Sequence, residues 1–131
     1  METYRICIQD ILRVLGVGRQ YMGYAVTVKA IGMVLEDESC LSCVKQGIYM
    51  PLSEVQSCDW RTIERNIRTV IHRAWRVNGP VLTELAGYHL QQEPTVTEFL
   101  DILSGYLMRE AMSPARPVRR KKTLLENSLS L

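Results

Sequence analysis

Phenylalanine occurs once in this chain of 131 residues, histidine twice and cysteine four times, and no apolar run is long enough to cross a bilayer. The first ten residues, METYRICIQD, lack the basic start and apolar stretch of a secretory signal. Both absences point to a cytoplasmic protein with no membrane partner. Catalytic motifs are missing as well: there is no H-E-x-x-H, no G-x-S-x-G and no phosphate-cradling Walker sequence. Gly16-Val17-Gly18 continues to Gly23, the wrong spacing for a dinucleotide fingerprint. The histidines, His72 and His89, stand apart, and no pair of acids is spaced for general acid–base work. The expectation is a non-enzyme without cofactor or small-molecule substrate. The cysteines are Cys7, Cys40, Cys43 and Cys58, and only Cys40 and Cys43 form a C-x-x-C pair. A structural zinc takes four ligands, and no second pair completes the set, so no metal site is expected. The alternative use of that pair is a thiol or zinc switch.

Apolar residues at 47 % and charged residues at 23 % suit a single soluble domain. Period-2 alternation never persists between turn signals, whereas helical periodicity recurs, so the chain reads as all-α. Ile8, Ile11, Leu12 and Leu15 share one face of a helix over about 3–15, which Gly16-Val17-Gly18 ends. A second helix is expected over 19–36, carrying Met22, Val26, Met33 and Val34. A third begins after the acidic break at Asp37 and runs to about Ile48. Pro51 opens a short helix; Ser57-Cys58-Asp59 reads as a turn, with Ser57 or Asp59 able to cap the next helix. The clearest element spans 60–77: Ile63, Ile67, Val70, Ile71 and Ala74 make one apolar stripe, and Asn78-Gly79-Pro80 is a strong stop. A short helix over 81–86 precedes Gly87-Tyr88. Thr95 and Glu98 form a capping box that starts a last helix to about Glu110, with Phe99, Ile102, Leu103, Tyr106 and Leu107 turned inward. Residues 1–111 therefore form the folded domain, and 112–131 a flexible tail.

Opposite the apolar stripe of the 60–77 helix lie Arg61, Thr62, Glu64, Arg65, Arg68, Thr69, His72, Arg73 and Arg76. Arg61, Arg65, Arg68 and His72 fall at helical spacing along one line. Solvent faces of helices usually mix Glu with Lys; this one holds no lysine and is rich in arginine. A guanidinium fork can bond O6 and N7 of guanine together, and a glutamate can accept from the cytosine amine. A short helix, a turn and then this face make a helix-turn-helix over about 51–77, with the second helix reading double-stranded DNA in the major groove. The tail adds Arg116, Arg119, Arg120, Lys121 and Lys122 against Glu126, a net of +4, which leaves −2 for the preceding 110 residues. Any basic footprint is thus local.

Taken in order, Gly23-Tyr24, Ala30-Ile31, Tyr49-Met50-Pro51, Ile63-Glu64-Arg65-Asn66-Ile67-Arg68, Ala74-Trp75, Gly87-Tyr88 and Pro94-Thr95-Val96-Thr97-Glu98-Phe99 carry a resemblance. Over about residues 6–110 the chain resembles the C-terminal DNA-binding domain of the sporulation initiation master response regulator of spore-forming Firmicutes. The resemblance implies a single six-helix domain with a helix-turn-helix, acting as a homodimer on tandem or palindromic sites and touching the RNA polymerase sigma subunit. It assigns base contacts to Glu64, Arg65 and Arg68. Arg61, Thr62, Thr69, His72, Arg73 and Arg76, with Arg119, Arg120, Lys121 and Lys122 of the tail, are then left for the DNA backbone. The family's main member carries a phosphoacceptor receiver domain ahead of this one; 131 residues leave no room for it here, so a regulator without a receiver domain is expected. The chain departs from the family pattern in three places: Leu52–Gln56 is about one residue shorter, Thr62 stands where a basic residue is usual, and Arg76–Pro80 differs from the sigma-contacting segment. The rival reading keeps the fold but makes it a helical protein–protein module that modulates a full-length relative.

If the tail tracks phosphates, neutralising Arg119 to Lys122 weakens binding to all duplexes alike and flattens the salt dependence. An unchanged slope in a salt titration would remove the tail from the interface.

Overall fold

The computed structural model describes residues 2–111, with side chains from Ile8 onward; the expected basic tail lies outside the described residues. Helix α1 (Glu2–Val14) leads through a loop to α2 (Tyr24–Glu36). A 3₁₀ segment (Glu38–Cys43) and a π-turn (Lys45–Tyr49) then run into α3 (Met50–Gln56). Two longer elements complete the fold, α4 (Trp60–Ala86) and α5 (Val96–Ala111). Helix α4 is interrupted at Asn78, whose backbone (φ −150°, ψ 53°) is not helical, so it consists of two helical stretches joined by a kink. Counted that way, the described residues hold six α-helical stretches and no strand. The all-α architecture expected from the periodicity is the one the chain adopts. No helix among the described residues is long and apolar enough to cross a membrane.

The core is built from the faces that the apolar spacing marks out. Ile8, Ile11, Leu12 and Leu15 of the first helix and its end are buried, as are Phe99, Ile102, Leu103, Tyr106 and Leu107 of α5. Between them lies the stripe of α4: Ile63, Ile67, Val70, Ile71 and Ala74 expose at most 1 % of their surface. Each fully buried isoleucine contributes roughly 2 kcal/mol, which holds α4 to the body of the fold along its length. The capping box is half formed: the Glu98 amide donates to Thr95 Oγ1 at 3.1 Å, while the Glu98 carboxylate accepts from the Tyr88 hydroxyl at 3.2 Å.

Two boundaries differ from expectation, each for a local reason. Helix α2 starts at Tyr24 rather than near 19, because Gly18–Tyr24 winds through two successive turns, with Tyr21 N donating to Gly18 O and Tyr24 N to Tyr21 O. Met22 is consequently exposed instead of joining the core. Gly23 closes this loop with φ 93°, and a Cβ there would fall inside van der Waals distance of the Asn66 carbonyl oxygen on α4. Glycine is required twice over, for the left-handed backbone and for the close approach. The expected third α-helix is instead wound tightly and then loosely. Asp37 starts it: its carboxylate accepts from the Ser39 amide at 3.1 Å and the Ser39 hydroxyl at 2.7 Å, and its carbonyl accepts from Cys40 N three residues on. Further along, Gly47 backs onto Cys40, with its would-be Cβ 2.7 Å from the Cys40 carbonyl oxygen.

Asn78-Gly79-Pro80 acts as the break that the sequence suggests, but the chain kinks rather than leaving the helix. Pro80 lacks an amide and would crowd the carbonyl four residues back in a straight helix. The Asn78 side chain donates instead to Val14 O at 2.9 Å, at the end of α1.

Gly23→Ala combines left-handed strain with a backbone collision and should cost at least ~2 kcal/mol of stability. Chemical denaturation measures this directly; an unshifted midpoint would show that the loop does not press on α4.

Candidate nucleic-acid interface

The stretch from Tyr49 to Trp60 forms the corner that presents α4. Pro51 sits in the first turn of α3, where its missing amide costs nothing. Ser57 ends α3 in the left-handed conformation (φ 54°, ψ 49°), which turns the chain sharply, and Cys58 N donates back to Ser53 O at 3.0 Å. Asp59 then caps α4: its carboxylate accepts from the Arg61 amide at 2.7 Å. Of the two capping candidates in the turn, Asp59 is the one used. The ring of Trp60 stacks on Tyr49, with centroids 6.1 Å apart and planes 7° from parallel. This stack joins the two sides of the corner, and Leu52 and Ile63 are buried in the elements on either side of it.

Arg61, Arg65, Arg68, Thr69, His72 and Arg76 are exposed, and Thr62 and Glu64 are half-buried beside them. Glu64 and Arg68 form an ion pair at 3.1 Å, and Arg61 pairs with Asp59 at 3.4 Å. Both guanidinium groups are mostly solvent-exposed, and such pairs are worth on the order of 0–1 kcal/mol, so either can be exchanged for a stronger anion. The Arg65 and Arg76 side chains have no hydrogen-bond or ion-pair partner among the described residues. The Thr69 hydroxyl donates to Arg65 O at 3.0 Å. His72 Nδ1 lies 2.9 Å from Glu93 Oε1, in the loop before α5.

Arg73 is placed differently. Its Nε donates to Gly16 O at 3.0 Å, and its guanidinium lies over the Tyr21 ring at 4.5 Å. It is turned toward the loop between α1 and α2 and helps hold the helix in place through that one Nε–H, one of the five N–H donors a guanidinium carries. Lys45 is a residue that sequence patterning does not reveal. It belongs to the π-turn, yet its ammonium lies 4.6 Å over the ring of Trp60, beside Arg61 at 4.9 Å. No periodicity ties Lys45 to the arginine face; a basic residue shortly before Tyr49 is the only signal the sequence offers. Arg119, Arg120, Lys121 and Lys122 lie outside the described residues.

Together, a short helix, a left-handed turn and a longer helix with an exposed arginine face define a helical domain of the helix-turn-helix class. The family model for the C-terminal domain of sporulation initiation factor Spo0A matches residues 8–107, and the chain belongs to that family. Membership makes it a DNA-binding effector domain of the sporulation-regulator type, a family of regulators rather than enzymes. No curated protein and no solved structure matches the chain significantly.

Tyr49 reports on the corner. Burial pushes its phenol up to about 12, with the nearby Glu64 carboxylate adding to the rise and Arg68 opposing it. The folded value lies above the unfolded one, so this contribution to stability is intact below pH ~10 and is lost as pH rises toward 12. A phenolate absorbance titration should show a tyrosine ionising well above the ordinary value of about 10, and Tyr49→Phe should remove that step. A phenol at position 49 that titrates with free tyrosine would show that the corner is open to water.

Proposed function

We propose that this domain binds double-stranded DNA in a sequence-specific manner, laying the first half of α4 in the major groove as a cytoplasmic transcriptional regulator. The observation that carries the reading is Arg65: exposed, unpaired among the described residues, and set between Glu64 and Arg68 on the outer face of a helix anchored by buried isoleucines. An α-helix about 10–12 Å across fits a groove about 12 Å wide. Arg65 and Arg68 would take guanine edges, and Glu64 would accept from cytosine once Arg68 leaves it. Arg61, Thr62, Thr69, His72 and Arg76 would flank them against sugar and phosphate. Arg73 supports this arrangement from inside, and the tail beyond residue 111 would add sequence-blind affinity.

Two protein partners extend the reading. A second copy on adjacent half-sites would double the contacts, and the segment Arg76–Pro80 is the one that would meet the RNA polymerase sigma subunit. Val77 and Pro80 are exposed there, while Asn78 is buried in the kink.

Random-site selection on duplex DNA, followed by footprinting, tests the proposal. Arg65→Ala should cost about 1–3 kcal/mol on the selected site and relax preference at one base pair. Equal loss on every duplex would remove Arg65 from base reading. A failure of the wild-type chain to bind any duplex at low salt, with tight binding to a protein partner, would decide for the protein–protein module.

A further inference from the structure

The first turn of α4 carries an aromatic platform that base reading leaves unused. Trp60 is half-buried, and its stack on Tyr49 fixes the plane of the ring. Two cations sit against that ring: Lys45 Nζ at 4.6 Å from the centroid and the Arg61 guanidinium at 4.9 Å. They come from different places, Lys45 from the π-turn ahead of α3 and Arg61 from α4 itself. Among the described residues the Asp59 carboxylate, 3.4 Å from Arg61, is the only ion-pair partner either has. A ring face attracts a cation, but two like charges brought to one ring repel, and the cost is removed when an anion bridges them. Both side chains are exposed, so core packing does not require the second cation.

The platform stands at the end of α4 nearest Glu64 and Arg65. With a helix filling the groove, groups flanking its first turn stand over the bordering sugar–phosphate chain rather than over base edges. The geometry points to Lys45, oriented by Trp60 and acting with Arg61, as a contact to a DNA backbone phosphate beside the recognised site. Trp60 is a positioning residue: it holds the ammonium in place and spares the entropy of ordering a long side chain at binding. The inference rests on the duplex-binding reading above. It extends the footprint beyond the helix-turn-helix, and it adds affinity without adding sequence preference.

The full chain, with Lys45→Met and Trp60→Leu variants, would be titrated against the selected duplex and an unrelated duplex of equal length over a range of salt concentrations. Lys45→Met should reduce the slope of log K against log salt by about 0.9 on both duplexes and leave their affinity ratio unchanged. Trp60→Leu, if its circular dichroism remains helical, should give a smaller reduction in slope with the lysine still present; should it unfold, Lys45→Met carries the test alone. A full slope in Lys45→Met, with the wild type still preferring the selected duplex, would overturn the phosphate contact while leaving Arg65 in its role. A Lys45→Met variant with altered base preference would overturn it too, by making the lysine a reader. A folded Trp60→Leu variant with an undiminished slope would strip the ring of its part. If the wild type binds neither duplex, the reading of the whole domain falls, and this inference falls with it.

Discussion

The orientation of α4 depends on polar contacts that cross from its middle to the end of α1. Arg73 Nε reaches Gly16 O, and Asn78 Nδ2 reaches Val14 O. These carbonyls belong to the last turn of a helix and the residues after it, where backbone acceptors lose their helical partners. A guanidinium placed there also meets the negative end of the helix dipole. The isoleucine stripe fixes how deeply α4 sits, but apolar contact has no direction and would tolerate some rolling of the helix. The two hydrogen bonds are directional, and Gly23 pressing on the Asn66 carbonyl closes the remaining freedom. Rotation about the helix axis is thereby set, and with it the direction in which Glu64, Arg65 and Arg68 face.

That arrangement divides the arginines of one helix into three uses. Arg73 lends its Nε–H to the fold. Arg61 and Arg68 are held in weak exposed pairs, which keep them extended in water and release them cheaply. Arg65 and Arg76 remain open. Glu64 has a part in more than one of these: it pairs with Arg68, and its charge helps raise the Tyr49 phenol on the α3 side of the corner. An acid amid so many guanidinium groups keeps them from repelling one another before an outside anion arrives.

Much of this is legible in the residues themselves. The stripe Ile63 to Ala74 repeats at helical spacing and is buried throughout, and Thr95 caps where its partner Glu98 suggests. Asn78-Gly79-Pro80 marks a break, and the backbone does break there. The features that escape the sequence depend on groups distant along the chain or on the backbone. Arg73 looks like any other member of the basic face, since the carbonyl it serves lies 57 residues away and leaves no trace in side-chain patterning. Helix α2 starts later than the apolar period suggests: Tyr21 and Met22 fit that period, whereas the deciding fact is how closely Gly23 approaches α4. The 3₁₀ and π windings before α3 come from Asp37 bonding to Ser39 and from the fit of Gly47 on Cys40, neither of which has a period.

The kink at Asn78 reconciles two demands on α4 that a straight helix could not meet. Twenty-seven residues of uninterrupted helix would extend about 40 Å, beyond the body of so small a domain. The first stretch needs one face in the core and the other free along its length, for a groove to accept it. The second must turn Val81, Leu82 and Leu85 into the core, where they are buried, and leave Leu85 O within reach of Arg109 at 3.1 Å on α5. Breaking the helix at Asn78 changes its direction between these tasks, and the side chain that replaces the lost regularity is spent on Val14 O, the same end of α1 that Arg73 serves. The bend and the rotation of the presenting face are therefore fixed at one place, so a change there would disturb core closure and the aim of Arg65 together.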